Sequence, residues 1–222
     1  KANYYDPLTN LPNMERFLGN APVFQKKMTD EGLQAVFISF NLCGLKNYNS
    51  RYGLEGGNRL IVEMGNALGE VFGKEKCSRF GEDHFYVITE NSGIEEKINL
   101  VFDKMVPACN GVTLPVRAGI YIVKDETISA IISCDRARVA CDWDRNSYGS
   151  RYRYFDESLE EKVKNRDYVL TNFDKALENG YFQVYYQPQI RLLDNRLAGA
   201  EALARWIDPE MGMISPDLSI LP

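Results

Sequence analysis

Residues 79–85 read Arg-Phe-Gly-Glu-Asp-His-Phe, so two carboxylates and the chain's single histidine stand in consecutive positions: Glu82, Asp83 and His84. Carboxylate oxygens are the hard donors that Mg2+ prefers, and an imidazole changes charge near neutral pH. Each residue has two readings. Asp83 is a cation ligand or a residue that closes a hairpin turn, where Asp is common. His84 is a ligand or pH switch, or a solvated turn residue. Arg79 binds phosphate or braces the hairpin. Cys43, at the end of an apolar run, is a nucleophile or a small buried hydrophobe.

Composition limits what such groups could act on. Subtracting 31 acidic residues from 26 basic ones leaves a net charge of −5, so the chain has no general basic surface to displace counterions from a nucleic acid polymer. A small anionic ligand stays open, because a local pocket can differ from the net charge. The five cysteines, Cys43, Cys77, Cys109, Cys134 and Cys141, are odd in number and never spaced C-x-x-C. Reduced thiols in a cytoplasmic setting are expected. No apolar run approaches the ~20 residues that span a bilayer, and the N-terminus has no signal-peptide core. This chain is expected to make no membrane contact. Lys1 in place of Met reads as an internal start, which leaves room for an anchor upstream in a longer parent.

The elements that must position these groups follow from periodicity. Residues 14–30 read as a helix with Phe17, Leu18 and Phe24 on its apolar side. Ala35 to Leu42 is a short apolar run rich in branched and aromatic residues, a buried strand. Ile61, Met64, Leu68 and Val71 recur at helical spacing, and Gly73 ends the pattern. Lys76 to Glu82 and Asp83 to Thr89 read as two strands around a turn. Ile94 to Met105 reads as a helix, Val112 to Val123 as a strand, and Ile128 to Ala140 as a helix with Ile131 and Ile132 inward. Cys141 to Tyr154, with Asp142, Asp144, Asn146 and Gly149, reads as a surface loop. Ser158 and Glu161 have capping-box spacing at the start of a helix to Asn179, closed by Gly180. Tyr181 to Ile190 and Leu197 to Trp206 read as strands around a polar turn. A hairpin inside otherwise alternating elements predicts an α+β fold with one mixed, largely antiparallel sheet.

Two stretches carry a resemblance. Asp6-Pro7-Leu8-Thr9-Asn10-Leu11-Pro12-Asn13 resembles the D-x-L-T-x-L-x-N opening of GGDEF domains. Lys46 to Asn58 resembles their K-x-x-N-D-x-[YF]-G-H-x-x-G-D segment. Residues 79–85 resemble their R-[FY]-G-G-D-E-F hairpin, with two positions changed. Such domains typically make cyclic di-GMP from two GTP molecules. Glu201-Ala202-Leu203-Ala204-Arg205-Trp206, preceded by Tyr186-Gln187-Pro188-Gln189, resembles the start of an EAL domain, the family of cyclic di-GMP phosphodiesterases. The resemblance implies a ferredoxin-like, nucleotide-cyclase-like central mixed sheet flanked by helices over 1–156. A linker helix over 157–180 and an incomplete TIM-barrel hairpin over 181–222 would follow. A whole barrel needs ~250 residues, so no phosphodiesterase activity is expected of this chain.

The same resemblance implies a degenerate cyclase motif at Gly81, Glu82, Asp83, His84 and Phe85. Family members hold two Mg2+ ions on carboxylates, to neutralise charge that builds on the triphosphate. The strand-end metal position falls on Asn41, the next acidic position on Cys43, and the last acid of the hairpin on His84, which leaves Asp83. Glu82 replaces the motif's second glycine, and its charge would repel a phosphate. Asn49 matches the residue that reads guanine. Asn58 stands where a second reader is acidic, and its amide has one acceptor oxygen where a carboxylate has two; both asparagines would otherwise be cap or turn residues. Lys46 matches a family lysine, and a phosphate-contacting lysine falls on Asp142. The family's R-x-x-D product site would lie at Phe72-Gly73-Lys74-Glu75, where it is missing. In the EAL part, Glu201 matches a metal ligand, and Gln187 and Arg205 match substrate contacts.

The expectation is a catalytically inactive GGDEF module of a bacterial cyclic di-GMP signalling protein, regulatory or nucleotide-sensing, with Mg2+ and GTP as weak ligands. A weakly active variant cyclase built on Asp83 and a purely structural dimerisation scaffold are the alternatives. The expected partners are a guanine nucleotide, the rest of the EAL domain in a longer parent, and a second copy. The apolar hairpin faces around Trp206 are expected to pack on the GGDEF domain or on another copy.

Overall fold

In a computed structural model the protein is described over residues 4–108, 114–125, 127–143 and 151–215. It divides into two compact units, Lys1–Asp156 and Glu157–Pro222.

The first unit begins with α1 (Met14–Asp30), whose N-cap Asn13 accepts a hydrogen bond from the Arg16 amide. Next come β1 (Ala35–Leu42), α2 (Leu45–Phe72), β2 (Cys77–Gly81), β3 (His84–Glu90), α3 (Ile94–Ala108), β4 (Val116–Ile122), α4 (Ala130–Asp142) and β5 (Arg151–Tyr154). The strands form one sheet in the order β2-β3-β1-β4-β5. All neighbours are antiparallel except β4 and β5. The segment from β1 to β4 is therefore a ferredoxin-like split βαβ arrangement, as the α+β reading expects.

β1 is central and apolar on both faces because both faces are covered. Val36, Ile38, Phe40 and Leu42 join a core with Leu60, Met64 and Leu68 of α2 and Ile98 and Val101 of α3. Ala35 and Phe37 point the other way, to Phe17 of α1 and Cys134 and Ala137 of α4. The sheet thus has an α2/α3 side and an α1/α4 side. Asn41, with the parity of Phe37, belongs to the α1/α4 side.

Two readings of α4 and its sequel need correction. Ile131 and Ile132 are 52% and 48% exposed, and the inward residues are Ser133, Cys134 and Ala137. The cause is a close approach: a Cβ at Gly119 of β4 would lie 2.0 Å from the Ala137 carbonyl oxygen and 2.2 Å from the Cys141 nitrogen. Only small side chains fit between α4 and the sheet there. The stretch read as a surface loop is also not one throughout. Cys141 and Asp142 finish α4, and Arg151–Tyr154 is β5, with Tyr152 and Tyr154 packed on the α2/α3 core. Asp144, Asn146 and Gly149 lie outside the described residues.

The second unit holds α5 (Glu157–Glu178), β6 (Phe182–Arg191), β7 (Arg196–Asp208) and β8 (Gly212–Ile214). α5 starts one residue before Ser158, so the capping box read there is not an N-cap. Its C-terminus closes as expected: Gly180 has φ +69°, its amide donates to the Leu177 carbonyl, and the Tyr181 amide donates to that of Ala176. The hairpin gains a third strand, β8, in the order β6-β7-β8. Trp206 is fully buried. Its cover comes from its own unit, where Phe173 of α5 and Phe182 of β6 stand 6.2 and 5.1 Å from its ring centre.

Candidate functional site

The hairpin between β2 and β3 turns through Glu82 and Asp83. Gly81 has φ +129° and Glu82 has φ +44°. The latter is a left-handed conformation that costs a side-chain-bearing residue roughly 1–2 kcal/mol. What holds it is Arg79. Its Nη2 and Nε donate to the Glu82 carbonyl oxygen at 2.8 and 3.1 Å. Its Nη1 donates to the two Asp6 carboxylate oxygens at 3.0 and 3.2 Å. Asp6 also accepts from the Thr9 amide at 2.8 Å and hydroxyl at 2.7 Å. Burial alone would raise the Asp6 pKa, but Thr9 and then Arg79 outweigh it and hold the carboxyl below the usual range. Arg79 is thus a brace between the N-terminal motif and the turn.

Beyond the turn, β3 runs back beside β1 and places His84 opposite Asn41. Asn41 Nδ2 lies 3.3 Å from His84 Nδ1, and His84 Nε2 lies 3.6 Å from Asp83 Oδ1. Asp83 also ties the turn to β1, since its carbonyl accepts from the Leu42 amide at 3.4 Å. Amide, imidazole and carboxylate therefore form a chain that engages one another. The residues that the sequence singled out at 41, 83 and 84 are together, as are Gly81 and Glu82 in the turn.

On the other side of Asn41 stands a residue that the sequence reading did not consider. Arg117 of β4 is the cross-strand partner of Asn41, and Arg151 of β5 is the partner of Arg117. Tyr121 and Val123 of β4 belong to the α1/α4 side, so Arg117 shares that side with them. Arg153 of β5 does too, since its guanidinium lies 5.7 Å from the ring of Trp143, the C-cap of α4. A row crosses four strands on one side of the sheet: His84, Asn41, Arg117, Arg151. Arg117 is only 6% exposed. Burial and then Asp142 raise the pKa of the Cys141 thiol, and the Arg117 charge opposes them.

This row is a poor host for Mg2+. Its donors are a neutral amide and an imidazole, with one flanking carboxylate, where Mg2+ calls for anionic oxygens. Arg117, the cross-strand partner of Asn41, is a further basic residue on the same side of the sheet. Among the described residues no group of three or more His, Cys, Asp or Glu side chains could hold a metal ion. Cys43, expected to be buried, is half-buried. Its amide donates to the Pro115 carbonyl at 2.9 Å.

The candidate base readers lie on α2, which breaks at Gly53, φ +78° and ψ 164°. The break lets the first piece fold back so that Asn49 meets the second: a Cβ at Gly57 would fall 1.7 Å from Asn49 Oδ1. That oxygen is buried and has no hydrogen-bond partner. An acceptor left so at a candidate ligand site is an unmet demand worth ~1–3 kcal/mol. Asn58 and Lys46 are exposed on the same helix.

In the second unit, Gln187 faces Glu201 across β6 and β7, and Gln183 faces Arg205. Their parity puts Gln187, Glu201 and Arg205 on one face and Trp206, with Phe182, on the other. Arg205 donates to the Ala204 carbonyl at 2.8 Å. No described helix is long and apolar enough to cross a membrane.

Comparison with known proteins matches this layout. The family model described as diguanylate cyclase, GGDEF domain, matches residues 3–133, and the EAL domain model matches residues 171–220. The bifunctional diguanylate cyclase/cyclic di-GMP phosphodiesterase MucR of Pseudomonas aeruginosa is 26% identical over 228 residues, 96% of this chain and 32% of that protein. The oxygen sensor protein DosP of Escherichia coli is 25% identical over 219 residues, 96% of this chain and 27% of that protein. The chain thus spans about a third or less of these relatives. Among solved structures, the GGDEF domain of DgcB from Caulobacter crescentus, in complex with c-di-GMP, has a TM-score of 0.59 at 16% identity. It covers 69% of this chain and 96% of that one. The S helix-GGDEF-EAL portion of LapD from Vibrio cholerae, bound to c-di-GMP, has a TM-score of 0.58 at 15% identity. It covers 93% of this chain and 49% of that one.

Proposed function

We propose, from the premise that the chain belongs to the GGDEF family of cyclic di-GMP signalling proteins and runs on into an EAL segment, that its first unit senses a nucleotide without making cyclic di-GMP. It would act as a regulatory module for the EAL domain. The observation that carries this reading is the chain Asn41–His84–Asp83 at the end of β1, where amide and imidazole stand in the place of carboxylates. Phosphoryl transfer on a triphosphate needs positive charge placed against the developing negative charge at both reacting oxygens. Paired Mg2+ ions held by this set would lack the anionic ligands that fix them. Retained binding is supported by the buried, unpartnered Asn49 Oδ1, an acceptor that suits the N–H edge of guanine.

The test is to incubate the purified chain with GTP and Mg2+ or Mn2+ and to follow cyclic di-GMP by chromatography. No product above a no-protein control is expected. Sustained turnover that vanishes in Asp83→Ala would instead support a variant cyclase working from the one carboxylate that the hairpin keeps. Calorimetry with GTP separates nucleotide sensing from a pure scaffold, which would give no binding heat.

A further inference from the structure

We propose that the groove between the β2–β3 hairpin and α4 is a docking site for a partner protein, and that it takes an arginine side chain flanked by apolar residues. The groove lies on the α1/α4 side of the sheet and holds about 390 Å3 of open space. Its floor is aromatic. Phe80 lies against Tyr86 with ring centres 4.1 Å apart, and Phe17 meets Phe80 edge-on at 5.7 Å. Met14 at the start of α1 and Ile131 of α4 are its apolar shoulders, 41% and 52% exposed. Glu82 lines it from the hairpin and Asp135 from α4.

Charge decides the occupant. Arg138 of α4 also lines the groove, but its guanidinium is tied to Asp135 at 2.7 Å, so these two charges largely cancel. His84 is turned to Asp83, whose carboxylate lies 3.6 Å from its Nε2. Glu82 differs. Arg79 holds its carbonyl, and among the described residues no hydrogen bond or ion pair engages its carboxylate. The balance is negative, so a cation is drawn in and an anion repelled. A guanidinium answers both features at once. Its planar fork can take two hydrogen bonds to the Glu82 carboxylate, and its face can lie on the Phe80 ring as a cation–π contact. An ammonium supplies the charge without the plane.

The shoulders favour a polypeptide over a free small cation. A small-molecule site buries most of its ligand and its own lining, whereas Met14 and Ile131 stand on different walls with about half of each exposed. An arginine at the centre leaves both uncovered unless apolar neighbours in its own chain lie over them. That is the arrangement of an interface hot spot, an anchored arginine ringed by contacts that exclude water. The Glu82 backbone fits the same reading, since a side-chain-bearing residue at φ +44° carries strain of the kind that collects at ligand sites.

The experiment follows the amide NMR spectrum of the whole isotope-labelled chain as the end-capped peptide Leu-Arg-Leu is added, without nucleotide. Saturating shifts are expected at residues 80–86 and 131–138, with a Kd of about 1 mM or tighter. The same peptide with citrulline for arginine keeps the shape and loses the charge, and it should bind about tenfold more weakly. Glu82→Gln and Ile131→Gln, the latter at an exposed position, should each weaken Leu-Arg-Leu by a similar factor while the rest of the spectrum stays as it is. Free arginine, which lacks the apolar neighbours, should bind more weakly than the peptide. No shift at these residues overturns the site, as does equal binding by the citrulline peptide or by the Glu82→Gln chain. Free arginine that binds as well as the peptide would make the groove a small-cation site and overturn the partner. A dimer of the native chain that Glu82→Gln dissociates would give the groove to a second copy, with the same consequence. Because no nucleotide is added, each of these failures leaves the nucleotide-sensing reading untouched.

Discussion

Replacing Arg79 with alanine removes two interactions at once: the fork onto the Glu82 carbonyl and the pair with Asp6. Both partners of the ion pair are only 12% exposed at their side chains, so solvent cannot take over cheaply. Breaking a fully buried pair costs ~3–5 kcal/mol, whereas exposed pairs contribute ~1 kcal/mol or less. Asp6 keeps its two bonds from Thr9, which lowers the penalty of stranding it. The Glu82 carbonyl sits at a turn and can bond to water. A loss of about 3 kcal/mol follows. At ~2–4 °C per kcal/mol for a domain of this size, the melting temperature of the first unit should fall by roughly 6–12 °C. Thermal and urea unfolding of Arg79→Ala, Asp6→Asn and the double variant would measure it, and the cycle should give a coupling of about 1–2 kcal/mol. The brace would be refuted by a fall below ~1 kcal/mol or by strictly additive single losses. The hairpin would then hold its own turn.

Three further outcomes follow from the same geometry. Glu82→Gly should stabilise the first unit by about 1 kcal/mol, because glycine adopts φ +44° without strain; a loss of stability by calorimetry would show that the Glu82 side chain makes a compensating contact. Glu90 is held between Lys97 at 2.9 Å and Lys76 at 3.2 Å. Burial works against these partners, yet the carboxyl is lowered from 4.5 to about 2. A carboxyl lowered on folding contributes stability that is complete above pH 4.5 and lost as pH falls toward 2, here up to ~3 kcal/mol before solvent screening. Urea unfolding at several pH values should show that slope in the native chain, and Glu90→Gln should flatten it. Finally, Cys77, Cys134 and Cys141 are buried. Burial raises the Cys134 thiol to about 12 and pushes those of Cys77 and Cys141 higher. A thiol reagent followed by peptide mass spectrometry should therefore modify half-buried Cys43 well before these three, and prompt labelling of Cys141 would show that α4 opens from β4.

What could be read from the sequence was what local order encodes. The apolar run 35–42 announces a strand covered on both faces, and the helical spacing of Ile61, Met64 and Leu68 announces the α2 core face. The misreadings share one cause, which is that a distant contact decides. Ile131 and Ile132 look inward by periodicity, but Gly119 brings α4 so near the sheet that only Ser133, Cys134 and Ala137 fit. Arg151-Tyr152-Arg153-Tyr154 does alternate with the period of a strand. Its four residues stand in a polar stretch, and only pairing with β4 makes them one. Likewise α5 covers Trp206, a partner that the hairpin's own pattern does not reveal.

The candidate site divides along the same line. Positions 82–84 are contiguous, and their departure from the family motif is visible as soon as the motif is recognised. His84, Asn41, Arg117 and Arg151 are spread over more than a hundred residues, and they become neighbours only through strand register. Arg117 alone looks like one more basic residue in a chain with an acidic net charge. Its meaning comes from standing opposite Asn41.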